Sequence, residues 1–204
     1  FAIGGAPAIA ALAYGTRSVP QVDKICGPGN IFVTLAKKQV FGAVDIDGLQ
    51  GPTETIVLAD DSANPASCAA DLLAQAEHDE MATAILITPS KELARRVSVE
   101  VDRQLGNLER RTIAERSLDH RGGIIITPDM DMALRLVNAY APEHLCLLVK
   151  NPDELIPRIH HCGGIFIGES SPEVLGDYAA GPSHVMPTGG TARFSSPLNV
   201  LDFL

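Results

Sequence analysis

The chain has 204 residues, 46% hydrophobic and 20% charged, which excludes a disordered tail or low-complexity linker as its main content. Lys and Arg number 16 against 25 Asp and Glu, a formal charge of −9, so the acidic surface repels phosphate backbones and nucleic acid is not an expected partner. No apolar run reaches the ~18–20 residues of a membrane helix, and a length of one to two times ~150 residues predicts one or two domains with a core that needs no staples.

In chain order, Ala6–Tyr14 reads as a small-residue helix and Val22–Cys26 as a strand. Gly27-Pro28-Gly29-Asn30 is a turn, and Ile31–Val40 a helix with Lys37 and Lys38 near its end. Gly42–Gly51, rich in Gly and Asp, is the candidate boundary between two units. Beyond it one pattern recurs: a short apolar run, a turn marked by Pro, Asp, Ser or Asn, then a helical period. The strands are Thr55–Ala59, Ala84–Thr88, Ile124–Thr127, Leu145–Val149 and Ile165–Ile167. The helices that follow end near His78 or span Lys91–Leu105, Met130–Tyr140, Asp153–Ile159 and Glu173–Tyr178. Strands without polar alternation suit a parallel sheet buried on both faces. The alternation predicts an α/β fold of three-layer sandwiches with mostly parallel sheets, Rossmann-like, in two units. Ligand sites in such sheets are expected beyond the carboxyl ends of the strands. Gly181–Pro197 reads as a loop leading out of the second unit, and both chain ends read as cut, as in an internal piece of a longer protein.

Four cysteines without a CxxC pair, Cys26, Cys68, Cys146 and Cys162, read as reduced, buried residues of an intracellular protein. Gln75 and His78 are three apart at a helix end and share a face, so they can offer two ligands to one cation, with Asp177 as a third. The plainer reading is a His stabilised by the helix dipole. Glu143-His144 sets a carboxylate beside an imidazole, two proton-transfer groups of different basicity, or simply a polar loop before a strand. His184 is a second loop histidine, and His160-His161 reads as a helix-end cap. The Gly27–Asn30 turn can receive a phosphate or polar ligand on free N–H groups, or be only a tight turn.

The strings IGGAPAIAALAYGT, KICGPGN with VTLAKKQV, GPTE, DLLAQAEHD, NAYAPEHL, GDYAAGPSHVMPT and TGGTARFSSPL together resemble the histidinol dehydrogenase family, in order and over nearly the whole chain. The resemblance implies NAD-dependent oxidation of L-histidinol to L-histidine through the aldehyde, the last step of histidine biosynthesis. It implies one zinc (Zn2+) per active site and a homodimer with swapped segments. It also implies a cytoplasmic or, in a plant, plastid location. By motif, Gln75, His78 and Asp177 are implied zinc ligands, with a fourth, a His, from a C-terminal segment of the other subunit. Glu143 and His144 are the implied acid–base pair. Thr53 stands where the family usually has Ser and, with Gln75, His78, His144, Asp177 and His184, is implied to bind substrate. Asn30 is an implied NAD contact. Pro7 departs from the family, which commonly has a Gln contacting NAD there. The implied division is 1–50 as the end of a cofactor-side domain, 51–190 as a zinc and substrate domain, and 191–204 as the start of a dimerisation tail. The alternatives are a zinc- or nucleotide-binding scaffold without catalysis, and an oxidoreductase of another amino alcohol or aldehyde.

Overall fold

The computed structural model describes the backbone of residues 1–204 and every side chain except that of Asp177. The first part carries helix α1 (Gly5–Tyr14), strand β1 (Lys24–Ile25), helix α2 (Ile31–Val40) and strand β2 (Asp45–Ile46). β1 and β2 form a two-stranded parallel sheet, so the Gly- and Asp-rich stretch expected as a boundary itself contributes a strand. Ile9, Ala13, Ile25, Val40 and Val44 make a small core beneath it.

The second part is built on five parallel strands: β3 (Glu54–Ala59), β4 (Thr83–Thr88), β5 (Gly122–Ile126), β6 (His144–Leu148) and β7 (Gly164–Ile167). Their order is β5-β4-β3-β6-β7, so the chain steps outward from β3 to one edge and returns to the other side of it. Helices α3 (Pro65–Ala76), α4 (Lys91–Leu105) and α5 (Arg111–Arg121) join the first three strands. Helix α6 (Met130–Tyr140), the short α7 (Pro152–Leu155) with a 3-10 turn (Ile156–Arg158), and α8 (Glu173–Tyr178) complete the unit. Alternation along each strand divides the core. Val57, Ala59, Leu86, Cys146 and Leu148 face α3, α4 and α5, while Ile56, Leu58, Ile87, Leu145 and Leu147 face α6. These are the three layers read from the sequence.

The helix starts follow their capping residues. Asn64 accepts from the Ala66 N–H at 2.9 Å with Pro65 behind it, Ser90 from Leu93 at 3.2 Å, and Asp129 from Met132 at 2.7 Å. Burial on both faces holds for β3, β4 and β6 but not for β5, whose Ile124, Ile125 and Ile126 are exposed along one edge, nor fully for β7 at the other. An apolar run states that a strand exists, not how many neighbours it has. Among the described residues no helix is long and apolar enough to cross a membrane.

In each β–α–β step the helix starts at the carboxyl edge of the sheet and ends at the amino edge. The end of α3, with Gln75 and His78, and the end of α6, with Glu143 and His144 following it, therefore arrive together at the amino edge. These candidate residues lie on helix ends and strand starts, which the winding delivers to the edge opposite the carboxyl ends where a ligand site was expected.

Candidate active site

Thr53 and Glu54 lead into β3, and Glu143 and His144 into the adjacent β6, where Thr55 stands opposite His144. Ala141, just past α6, adopts left-handed backbone at φ 58° and turns the chain so that Pro142 and Glu143 enter the sheet. Thr53 Oγ1 donates to Glu143 Oε2 at 2.6 Å, and the Glu54 N–H donates to the same oxygen at 3.1 Å. His144 Nδ1 lies 3.3 Å from the Glu54 carbonyl oxygen and 3.7 Å from Glu143 Oε2. A carbonyl oxygen only accepts, so this contact is a hydrogen bond when Nδ1 carries the proton. In the neutral ring Nε2 is then the basic nitrogen. Glu143 and His144 are 7% and 6% exposed, so both work in a largely water-free setting.

Their surroundings leave little slack. The Phe166 ring of β7 is 5.7 Å from the His144 ring at 41°. Gly163 N–H donates to Pro142 O and Gly164 N–H to Glu143 O, both at 2.9 Å. A Cβ at Gly163 would stand 2.6 Å from Glu143 O, so only glycine admits this approach. Met186 packs on the two glycines, and the same loop is pinned to the β3 entry: Gly51 N–H donates to Thr188 Oγ1 at 2.6 Å, and Gly189 N–H to Glu54 Oε1 at 3.1 Å. Burial raises the Glu54 carboxyl above its ordinary pKa against the opposing pull of the Gly189 N–H.

On the α3 face of the sheet a second polar group lies among apolar neighbours. Thr55 Oγ1 donates to Glu173 Oε2 at 2.5 Å, with Cys146 Sγ 3.9 Å from the same oxygen. Glu173 opens α8, so this contact fixes the start of that short helix against β3 and β6. Asp71, one turn before Gln75, is buried, and desolvation raises its carboxyl to about 6 despite an opposing hydrogen bond from Cys146. Cys146 itself is pushed well above the ordinary thiol pKa by burial, then by Glu173 and Asp71, and Cys68 to about 12 by burial first. Such thiols stay protonated, in keeping with their reading as buried structural residues.

Gln75 is 4% exposed, and its Nε2 has no hydrogen-bond partner among the described residues. The two ends of an amide differ only by a flip, which places Oε1, a metal-binding oxygen, at the same orphaned position. His78 stands exposed just beyond α3, its N–H on Gln75 O at 3.2 Å. Asp177, the third predicted ligand, lies outside the described residues as far as its side chain goes. Among the described residues no group of three His, Cys, Asp or Glu could hold a metal ion. What α3 offers is an imidazole and an orphaned amide, which fit a zinc ion as part of a shell.

The structure thus brings Thr53, Glu143 and His144 into contact. His184 is exposed in the loop after α8. Asn30 lies in the first part of the chain, where its side-chain oxygen caps α2 by accepting from Phe32 and Val33 N–H, each at 3.1 Å. Residues 28–32 there are exposed and a Cβ at Gly27 would meet nothing within 4 Å, so the turn leaves room for part of a cofactor beside the capped helix start. Pro7 lies exposed in the first turn of α1, where its missing N–H breaks no helical bond. Sequence reasoning passed over Glu54 and Glu173. Their signal was a carboxylate directly beside a strand start and a helix start, both ordinary positions for solvated acids.

The sequence model of the family described as histidinol dehydrogenase matches residues 1–204. Histidinol dehydrogenase of Dehalococcoides mccartyi is 60% identical over 204 residues, 100% of this chain and 47% of that protein. The enzyme of that name from Halalkalibacterium halodurans is 60% identical over 202 residues, 99% of this chain and 48% of that protein. The crystal structure of histidinol dehydrogenase from Elizabethkingia anophelis superposes with a TM-score of 0.92 at 40% identity, over 96% of this chain and 45% of that one. The chain therefore spans about half the length of the curated relatives it matches. On a match that runs from its first residue to its last, the chain belongs to the histidinol dehydrogenase family.

Proposed function

We propose that the full-length protein oxidises L-histidinol to L-histidine through the aldehyde. The observation that carries this reading is the buried Glu143–His144 pair, whose two side chains are gripped by the backbone of one residue, Glu54. Oxidising an alcohol removes the hydroxyl proton as hydride departs, and His144 Nε2 takes that proton. Oxidising the aldehyde to an acid needs water as nucleophile, and Glu143 draws the proton from that water as its oxygen adds to the carbonyl carbon. Two bases of different strength, held side by side, serve the two half-reactions in turn. Thr53 keeps the Glu143 carboxylate aimed and offers its hydroxyl to the substrate.

NAD supplies the hydride acceptor, one molecule for each oxidation, and Asn30 with the start of α2 would hold part of it. Gln75, His78 and Asp177 would hold zinc, which would supply positioning of the substrate and a smaller electrostatic share. His184 would add a contact on the substrate side. A fourth zinc ligand from a second subunit, in a homodimer with swapped segments, and the division of the chain at residues 50 and 190 belong to the same proposal.

The test is stoichiometric. Full-length protein given L-histidinol and excess NAD yields two NADH and one histidine per histidinol consumed. Zinc binding without any NADH formation would leave the scaffold reading instead, and turnover of other amino alcohols but not histidinol would move the substrate.

A further inference from the structure

A buried ion pair far along the chain from Glu143 and His144 grips the turn before α2. Lys37 is 2% exposed, and its ammonium donates to Gly27 O at 3.0 Å, to Gln50 Oε1 at 3.2 Å and to the Asp47 carboxylate. The Asp47 side chain is fully buried, and its other oxygen accepts from Gly27 N–H at 2.6 Å. An ammonium has three donors, and three acceptors take them. Both main-chain polar groups of Gly27, a residue at φ 119°, are thus held by the two ends of one ion pair. Thr34 of the same helix donates to Gln50 O at 2.6 Å, so the connector 47–50 fixes the helix and the turn together.

Stability alone does not call for such a pair, since burying two charges costs desolvation that an apolar pair avoids. What the pair provides is a fixed course for residues 27–30, which carry Asn30 to the exposed start of α2. We propose that Lys37 and Asp47 are positioning residues that shape this turn to receive NAD, an inference that rests on the NAD reading above.

The test compares KM for NAD and for histidinol in the full-length protein, in Lys37→Met, and in Lys37→Met/Asp47→Asn. The double variant keeps an acceptor for the Gly27 N–H and leaves no unpaired charge, which covers the case in which Lys37→Met does not fold. In every folded variant KM for NAD rises at least about tenfold, while KM for histidinol and bound zinc stay within about twofold of the parent. A folded variant with the parent's KM for NAD, or a parallel rise in both constants, overturns the positioning role. A parent that neither binds nor reduces NAD overturns the NAD reading and this proposal with it. Should neither variant fold, hydrogen exchange on the parent decides: NAD slows exchange across residues 27–34, and no change there in a protein that reduces NAD overturns the proposal.

Discussion

The main-chain carbonyl of Glu54 meets His144 Nδ1 at 3.3 Å. That contact selects the ring nitrogen that remains basic, and a neighbouring side chain cannot abolish it by mutation because the acceptor is backbone. His144→Asn in the full-length protein keeps a side-chain donor near Glu54 O but has no basic nitrogen. Its kcat for histidinol is expected to fall by about 10²–10⁴ with the fold intact, measured as steady-state NADH formation.

Thr53 and Glu143 form the next testable pair. Thr53→Ser retains the 2.6 Å hydroxyl donor, whereas Thr53→Val removes it from Glu143 Oε2 and keeps the Glu54 N–H there. Serine is expected to leave stability unchanged. Valine is expected to lower it by about 1 kcal/mol in denaturant titration and to slow aldehyde oxidation more than alcohol oxidation.

Two glycines separate steric need from mere glycine content. At Gly163 an added Cβ would press to 2.6 Å on Glu143 O, a backbone atom that cannot swing away, while at Gly123 nothing lies within 4 Å. Gly163→Ala is expected to destabilise by about 2 kcal/mol or more and to cut activity by shifting Glu143. Gly123→Ala is expected to stay within about 0.5 kcal/mol of the parent, both read by denaturant titration.

Asp71 predicts a pH signature. Its carboxyl is raised from 3.8 to about 6 by burial, so the folded state holds a proton that the unfolded state has already released between those values. Its contribution is fully present below about pH 4 and is lost as pH rises through about 6. A shift of about two units corresponds to a loss on the order of 3 kcal/mol. Denaturant midpoints between pH 4 and 7 should show that slope in the parent and its absence in Asp71→Asn.

The strands and most helices were legible because apolar runs, capping residues and turn prolines act locally. Lys91–Leu105 and Met130–Tyr140 have the bounds read from the sequence. α5 was not read, since Arg111–Arg121 is mostly charged and polar and buries little beyond Ala114 and Ser117. The exposed edge at β5 was equally hidden, because neighbour number is a tertiary property. The pairing of Glu143 with His144 lay in the sequence, but its location at the amino edge came from the winding. Lys37 shows the same limit: the sequence places it near a helix end beside Lys38, and only the return of Asp47 and Gln50 accounts for its burial.

The most direct measurement is a single-turnover comparison of Glu143→Gln with the parent, each given the alcohol and the aldehyde separately. Hydride transfer from L-histidinol is expected to persist in the variant, with aldehyde accumulating and its conversion to histidine slowed by at least about a hundredfold. Aldehyde oxidised at the parent's rate by Glu143→Gln would contradict the division of labour between these two residues.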